Sequence, residues 1–345
     1  MASPVDSEGA GTPAPPGHGF RARSKRRSGR SSKPSPSTSA ARSEAPGVLA
    51  IDKPAGCTSH DVVARVRRIL GGAKVGHAGT LDPDATGVLV ICVGKATKIS
   101  AFLMEGEKVY RGVGRLGVST ETQDASGAVV AECSVDLDEG EVREAAARFV
   151  GDITQVPPMY SALKVGGRKL YRLARAGVEV ERVARPVTVH ELEILDVALP
   201  EFTFEVRCSK GTYVRTLVHD LGEALGCGGH LAGLSRERQG NFTREAALPW
   251  SAVEGADAAD RIRRAVVTPE EALAFLDDLA VPAAAHPLRL GGLVPAASLP
   301  EGAGGIVRLT AGGAPIGVGR RSDEGLRPMF LFPSPPRFGR SQRAT

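Results

Sequence analysis

Six consecutive apolar residues, Val88-Leu89-Val90-Ile91-Cys92-Val93, read as a strand buried in the centre of a sheet. What precedes them narrows the fold further. The stretch Gly76-His77-Ala78-Gly79-Thr80-Leu81-Asp82-Pro83-Asp84-Ala85-Thr86-Gly87 puts three glycines, a proline and two acids between that strand and a helix. The helix is legible from Val62, Val66, Ile69 and Leu70 at helical spacing, with Thr58 or Ser59 as its cap and Gly71-Gly72 as its stop. Such a loop lets backbone approach a ligand closely and can hold a carboxylate at the mouth of a sheet. From these residues alone, a tight turn whose Asp side chains bond their own backbone is an equally good reading.

Around this centre the pattern is mixed. Gly47-Val48-Leu49-Ala50-Ile51 opens a strand, and Phe202, Phe204, Val206 and Cys208 alternate so as to share one face. Helices are expected over roughly 139–149 and 214–225, the second ended by Gly226, and Thr268-Pro269-Glu270-Glu271 forms a capping box with Pro in the first turn. Strands and helices do not alternate regularly, which argues for α+β with a mostly antiparallel sheet rather than a doubly wound fold. Residues 1–46, rich in Ser, Pro, Gly and Arg, have almost nothing to bury and are expected to be a disordered basic tail. Residues 47–282 form the main domain, 283–333 a small β-rich one, and 334–345 a second tail.

The net charge of +5 lies entirely in residues 1–46, where eight Lys/Arg face Asp6, Glu8 and Glu44; the remainder balances. Net charge therefore does not by itself establish RNA binding, and any basic surface on the body must come from local clustering. Cys57, Cys92, Cys133, Cys208 and Cys227 are widely spaced and odd in number, which disfavours a disulfide framework or a zinc site and fits a reducing cytoplasm. No apolar run approaches a membrane span. The N-terminus lacks the apolar core of a secretory signal, and its acids, Pro and Gly argue against an organelle transit peptide.

Two chemical motifs fail on context. Asp82-x-Asp84-x-Thr86 imitates the D-x-D-x-T of aspartate-nucleophile phosphatases, but that motif ends a hydrophobic strand, whereas here the apolar run comes afterwards. A phosphate-binding loop around Gly94-Lys95 has Ala96 where Ser or Thr is needed and Leu89 where the first Gly belongs.

A third reading is a resemblance. The loop resembles the signature G-H-x-G-x-L-D-P-x-A-x-G of the TruB family of pseudouridine synthases. The likeness extends in order from Gly47-Val48-Leu49-Ala50-Ile51-Asp52-Lys53-Pro54-Ala55-Gly56 through Gly94-Lys95-Ala96-Thr97-Lys98, Lys108-Val109-Tyr110-Arg111 and Thr122-Gln123-Asp124. It continues with Pro157-Pro158-Met159-Tyr160-Ser161-Ala162-Leu163-Lys164-Val165-Gly166-Gly167, Arg185-Pro186-Val187 and Cys208-Ser209-Lys210-Gly211-Thr212-Tyr213-Val214-Arg215, covering roughly 47–250. Ala78 and Asp84 stand where Thr and Leu are commoner in the family, and Ser235 where an Arg often follows Leu234. Asp84, if it faced the site, would raise the Asp82 pKa slightly.

The resemblance implies a pseudouridine synthase fold, a mixed, mostly antiparallel sheet with flanking helices and Asp82 deep in a cleft, followed by a small PUA-like β domain. It implies isomerisation of one uridine, position 55, in the T-loop of tRNA, by flipping the base out and breaking and rejoining its glycosidic bond. That reaction exchanges no electrons and calls for no cofactor and no metal. By the same resemblance Asp82 is the catalytic carboxylate and Arg215 the arginine that pairs with it. Tyr110 stacks on the uracil, Tyr213 and Leu234 line the pocket, and His77 fills space vacated by flipped nucleotides; on its own, His77 would read as a turn residue.

Lys164, Arg168, Lys169, Arg172 and Arg175 lie within twelve positions, and 168, 172 and 175 share one face of a helix. A charged face is usually only solvated; in this family the region borders the RNA cleft, which favours phosphate contact. The partners implied are the tRNA T-arm, with no membrane and no obligatory protein partner, for a monomeric cytoplasmic enzyme. The competing readings are a non-catalytic RNA-binding or RNA-folding protein and a guide-RNA-dependent synthase of the same family. Asp82, Tyr110 and Arg215 together argue against the first; the long Pro157–Gly177 segment and the small C-terminal domain argue against the second.

Overall fold

The structure, a computed structural model, describes residues 46–332 except 162, 179, 282–287, 289–291 and 303. Apart from Pro46, both expected tails lie outside the described residues. The chain runs β1 (Gly47–Lys53), α1 (Ser59–Ile69), β2 (Val75–His77), β3 (Thr86–Val93), α2 (Ser100–Leu103) and β4 (Lys108–Leu116). There follow the hairpin β5 (Val118–Thr120) and β6 (Val129–Glu132), α3 (Glu139–Ala147), β7 (Gly151–Gln155), the hairpin β8 (Lys164–Val165) and β9 (Arg168–Lys169), and α4 (Leu170–Arg175). Then come β10 (Arg185–Ala198), β11 (Glu201–Cys208), α5 (Val214–Ala224), β12 (Gly229–Gln239), β13 (Phe242–Thr243), β14 (Leu248–Pro249), α6 (Ala258–Ala265) and α7 (Pro269–Ala272).

Among the described residues β1 to β14 build a ten-stranded sheet, with hairpins β5–β6 and β8–β9 standing apart, in the order β14-β1-β3-β12-β4-β11-β10-β7. β1/β14 and β3/β12 are parallel and the other pairs antiparallel, the mixed sheet expected. The run Val88–Val93 is its buried centre, 2% exposed at most. Thr58, not Ser59, caps α1, in a reciprocal capping box with Asp61. Phe202, Phe204, Val206 and Cys208 do share one buried face, packed with Val142, Ala145 and Ala146 of α3 and Val214, Leu217, Val218 and Leu221 of α5. Gly112 and Gly114 on β4 make room for it, since a Cβ at either would lie within 2.5 Å of the Phe204 or Phe202 ring.

A second cluster joins Leu49, Ile51, Leu89 and Ile91 to Val62, Val63 and Val66 of α1 and Ile262 of α6. Tyr110 and Leu234 pack against both clusters, so they stand where the two meet. On the opposite side of β1 and β3, Val48, Ala50, Val88 and Val90 meet Ala272 and Leu273, and also Val318 and Phe332 of the chain's last segment. That segment is a five-stranded sheet of β15 (Asp278–Ala280), β16 (Val294–Pro295), β17 (Gly305–Ala311), β18 (Ala314–Ser322) and β19 (Gly325–Leu331). It begins before residue 283 because Asp278–Ala280 joins the edge of β17, a pairing that composition does not reveal.

The site is positioned by an interruption in this sheet. One edge of β3 is paired along its length with β1. Its other edge is shared: β2 covers Ile91–Val93 and β12 covers Thr86 and Gly87. Between them the chain leaves the sheet after His77 and returns at Thr86. The excursion is the acid-bearing loop.

Candidate active site

Buried polar side chains hold the loop from below. Lys53, with no exposed surface, ends β1 and donates from Nζ to the carbonyls of Cys57 at 2.7 Å, Pro54 at 2.8 Å and Pro83 at 2.9 Å. Ser59 Oγ donates to the Leu81 carbonyl (3.0 Å) and accepts from the Leu81 amide (2.9 Å), tying the loop to the first turn of α1. Gly87 takes φ +94°, and a Cβ there would lie 2.3 Å from the Arg236 carbonyl oxygen, so only glycine lets β12 join β3 at this point. Burial lowers the Lys53 pKa, which makes its three carbonyl acceptors necessary.

Above this base lies a carboxylate–guanidinium–carboxylate arrangement. Arg215, in the first turn of α5 with its side chain 8% exposed, places Nε 3.3 Å from Asp82 Oδ2 and Nη1 2.8 Å from Asp124 Oδ2. Its remaining bonds run from Nη1 to the Thr122 carbonyl (3.2 Å) and from Nη2 to the Tyr160 carbonyl (3.0 Å). Asp124 is fixed in turn by Thr122 Oγ1 (2.6 Å), Ser126 Oγ (2.6 Å) and the Ser126 amide (3.0 Å), all on Oδ1. Gln123 turns the chain toward Arg215 through φ +62°, the one non-glycine at positive φ among the described residues. Thr216 Oγ1 donates to its side chain (2.8 Å), and the Leu231 amide to its carbonyl (3.0 Å).

The two carboxyls differ in consequence. Loss of hydration raises the Asp82 carboxyl above its ordinary range; Arg215 opposes this and Asp124 adds to it. Burial presses Asp124 upward too, but the hydrogen bonds from Ser126 and Thr122, with the Arg215 charge, outweigh it and hold Asp124 below its ordinary range. Asp82 is less deep than expected, with 48% of its side chain accessible. Asp84 is exposed, and of the charges acting on Asp82 it is the weakest.

The apolar walls come from three strands and a helix cap. Tyr110 on β4 is half-buried, and burial raises its phenol while neighbouring Arg236 opposes the shift. Leu234 on β12 is also half-buried. Tyr213 precedes α5 and is clasped by buried Gln155, which accepts from its amide (3.0 Å) and donates to its carbonyl (3.3 Å). Burial raises its phenol too. His77 ends β2 at the entrance to the loop, its ring edge-on to that of His60 at 5.3 Å. Burial lowers its pKa, with His60 and Arg236 adding to the effect, so its imidazole is neutral at neutral pH.

Six of the eleven site residues named from sequence thus lie on the loop, on β4 and β12 beside it, or at the start of α5. The basic cluster is a separate matter. Arg168 belongs to β9, not to a helix with Arg172 and Arg175, because the turn at Gly166-Gly167 closes a hairpin first; the expected three-residue helical face does not form. Arg168 and Arg172 are exposed, while the side chains of Lys164, Lys169 and Arg175 lie outside the described residues. Sequence reasoning missed Asp124 as the second partner of Arg215, and Lys53 and Arg236 as buried charges. Thr122-Gln123-Asp124 and Lys53-Pro54 were visible as motifs; nothing local marks Arg236. Among the described residues no group of three His, Cys, Asp or Glu could hold a metal, the five thiols are free, and no helix is long and apolar enough to cross a membrane.

Comparison with known proteins gives the family. The profile "TruB family pseudouridylate synthase (N terminal domain)" matches residues 67–214, and "tRNA pseudouridylate synthase B C-terminal domain" matches 215–274. The second begins at Arg215, the residue that joins the two carboxylates. A solved Cbf5-Nop10-Gar1 complex contains a chain with TM-score 0.62 and 26% identity, covering 82% of this chain and 83% of that one. Fold and family matches therefore define a pseudouridine synthase. Curated relatives named tRNA pseudouridine synthase B include that of Aromatoleum aromaticum, 47% identical over 280 residues, 81% of this chain and 90% of its own. That of Burkholderia mallei (strain ATCC 23344) is 47% identical over 305 residues, 86% of this chain and 97% of its own. The chain belongs to the TruB family.

Proposed function

We propose that the protein isomerises the T-loop uridine at position 55 of tRNA to pseudouridine, with Asp82 as the carboxylate that acts at the sugar. The relatives named above support tRNA pseudouridine formation. The observation that carries the site assignment is the Asp82–Arg215 pair at the interruption of the sheet, with Tyr110 and Leu234 beside it. In the reaction the N1–C1′ bond breaks and a C5–C1′ bond forms; C5 loses a proton and N1 gains one. Atoms and electrons balance within the substrate.

Asp82 serves either by attack on C1′ or by removal of the C2′ proton, and both need it ionised. Arg215 meets that need, because its cation opposes the loss of hydration that favours the neutral acid. Tyr110 offers a ring face for the uracil, Tyr213 and Leu234 complete the pocket, and His77 stands at the loop's entrance to fill the gap left by flipping, which costs a few kcal/mol. Arg168 and Arg172, with Lys164, Lys169 and Arg175, would contact the RNA backbone. The ten-stranded sheet with its helices would be the catalytic domain, and the five-stranded sheet that β15 opens at Asp278 the PUA-like one, in a cytoplasmic monomer that needs no protein partner.

The test is incubation of the purified chain alone with an unmodified tRNA transcript, followed by mapping of pseudouridine. Modification at one T-loop uridine, abolished by Asp82→Asn with tRNA binding retained, is expected; Asp84→Asn should keep most activity. Turnover by Asp82→Asn would remove Asp82 from the mechanism. Activity only with an added guide RNA or partner would favour the guide-dependent reading.

A further inference from the structure

Arg236 is the largest fully buried side chain in the described structure, 1% exposed. Among the described residues no carboxylate lies within ion-pair distance of it; its guanidinium bonds carbonyl oxygens instead. A buried charge without a counter-ion is costly, so its retention calls for a reason. Nε donates to the Val88 carbonyl at 2.7 Å and Nη2 to the Gly79 carbonyl at 3.2 Å. Gly79 lies before Asp82 and Val88 after it, so one rigid fork joins the way into the loop to the way out. Val88 also falls in the interval of β3 that neither β2 nor β12 pairs, and the guanidinium there takes the place of a strand.

Across the sheet, Arg236 is the register partner of Tyr110, so the two side chains leave the same face of the sheet as neighbours and the Arg236 charge acts on the phenol. Guanidinium has donors and no acceptor. Toward that cation the phenol oxygen can only accept, so a contact between the two turns the Tyr110 O–H away from Arg236 and leaves its proton for another group. An unneutralised cation at that place also favours the phenolate, against the burial that favours the phenol.

We propose that Arg236 is a positioning residue of the isomerisation, orienting the Tyr110 hydroxyl and holding both ends of the Asp82 loop. The proposal rests on the pseudouridine synthase reading and adds to it a residue that need not touch the substrate. A merely space-filling Arg236 would affect stability alone.

The test uses full-length protein carrying Arg236→Lys or Arg236→Gln, each with Tyr110 intact and with Tyr110→Phe. Single-turnover rates are read as tritium released from C5-labelled tRNA, and ¹³C-tyrosine resonances report the titration of Tyr110. With Tyr110 intact, Arg236→Gln is expected to slow the saturated step about 10- to 100-fold while tRNA affinity stays within about threefold, the size expected when a reacting group is misplaced. In the Tyr110→Phe background its effect should shrink at least about fivefold, because part of its action has lost its object. The Tyr110 phenol should titrate at higher pH in Arg236→Gln than in wild type. Arg236→Lys keeps the charge and should keep the wild-type titration while losing part of the rate. Should Arg236→Gln fail to fold, the Lys variant decides by the same rate comparison in the two backgrounds. Equal losses in both backgrounds, or an unmoved Tyr110 titration in a folded Gln variant, would overturn the proposal. A wild-type protein that releases no tritium would instead overturn the enzymatic reading, and the tyrosine titration would still report on Arg236.

Discussion

Asp124→Asn separates the two tasks of Arg215. In the native site the guanidinium is divided between Asp124 at 2.8 Å and Asp82 at 3.3 Å, and only 8% of its side chain is exposed. At an effective dielectric near 20 and charge centres roughly 4 Å apart, one such pair is worth about 4 kcal/mol before solvation is counted. Asparagine keeps the shape and an oxygen for Thr122 and Ser126, and Arg215 keeps Asp82, so the net loss should be smaller. A charge-assisted bond of this kind contributes about 1.5–3 kcal/mol, which should appear as lower stability. If half or more of it also reaches the transition state, single-turnover isomerisation slows about 4- to 160-fold.

The pH profile should move the other way. Asp124 is one of the charges that raise the Asp82 carboxyl, so removing it lets Asp82 ionise at lower pH. The acid limb of the rate profile should thus shift to lower pH even as the plateau falls. The assay is tritium release from C5-labelled tRNA at saturating enzyme across the acid range, with denaturant unfolding alongside. A plateau within about twofold of wild type, or an acid limb shifted upward, would refute the division of Arg215 between two carboxylates.

Three further outcomes are expected. Tyr110→Phe should bind tRNA as wild type does, while Tyr110→Ala should lose the stacking energy, about 1–3 kcal/mol; equal binding by both would show that the ring does not meet the base. Lys108 is 7% exposed, its ammonium donates to the Met104 and Gly106 carbonyls, and burial pulls its pKa down to about 8. Above that pH the folded protein sheds a proton that the unfolded chain keeps to near 10.5, so stability should rise with pH across that window by up to about 3 kcal/mol. Lys108→Met should remove that slope in denaturant unfolding; parallel curves would refute the buried ammonium. Deletion of residues 1–46, which carry the whole net charge of +5, should leave the modified position and saturated turnover unchanged. It should flatten the dependence of log affinity on log salt by roughly 0.7–0.9 per lost phosphate contact, and parallel lines would show that the tail touches nothing.

Residue order by itself determined those features whose causes act over a few positions. The run Val88–Val93 is apolar without interruption and became the covered strand; Thr58, Thr268 and the periodic residues of α1 and α5 specify helices through capping and burial of one face. The loop from Gly76 to Gly87 was legible as a site because glycine, proline and acid together are poor material for a regular element. The motifs that resemble the TruB family placed Asp82, Arg215, Tyr110 and Leu234 in one reading without any coordinates. The tertiary structure alone decided what these groups face. Asp124 meets Arg215 across 91 residues, and Arg236 meets Val88 across 148. Lys53 and Arg236 look like surface charges in the sequence, since nothing within a few positions shows that carbonyls from distant segments will enclose them. Conversely, Arg168 had the spacing of a helical face but became part of a hairpin, because the turn at Gly166-Gly167 outweighs periodicity. Caps and periodicities are set by neighbours along the chain, whereas the partner of a buried charge is set by which distant strands the sheet brings together.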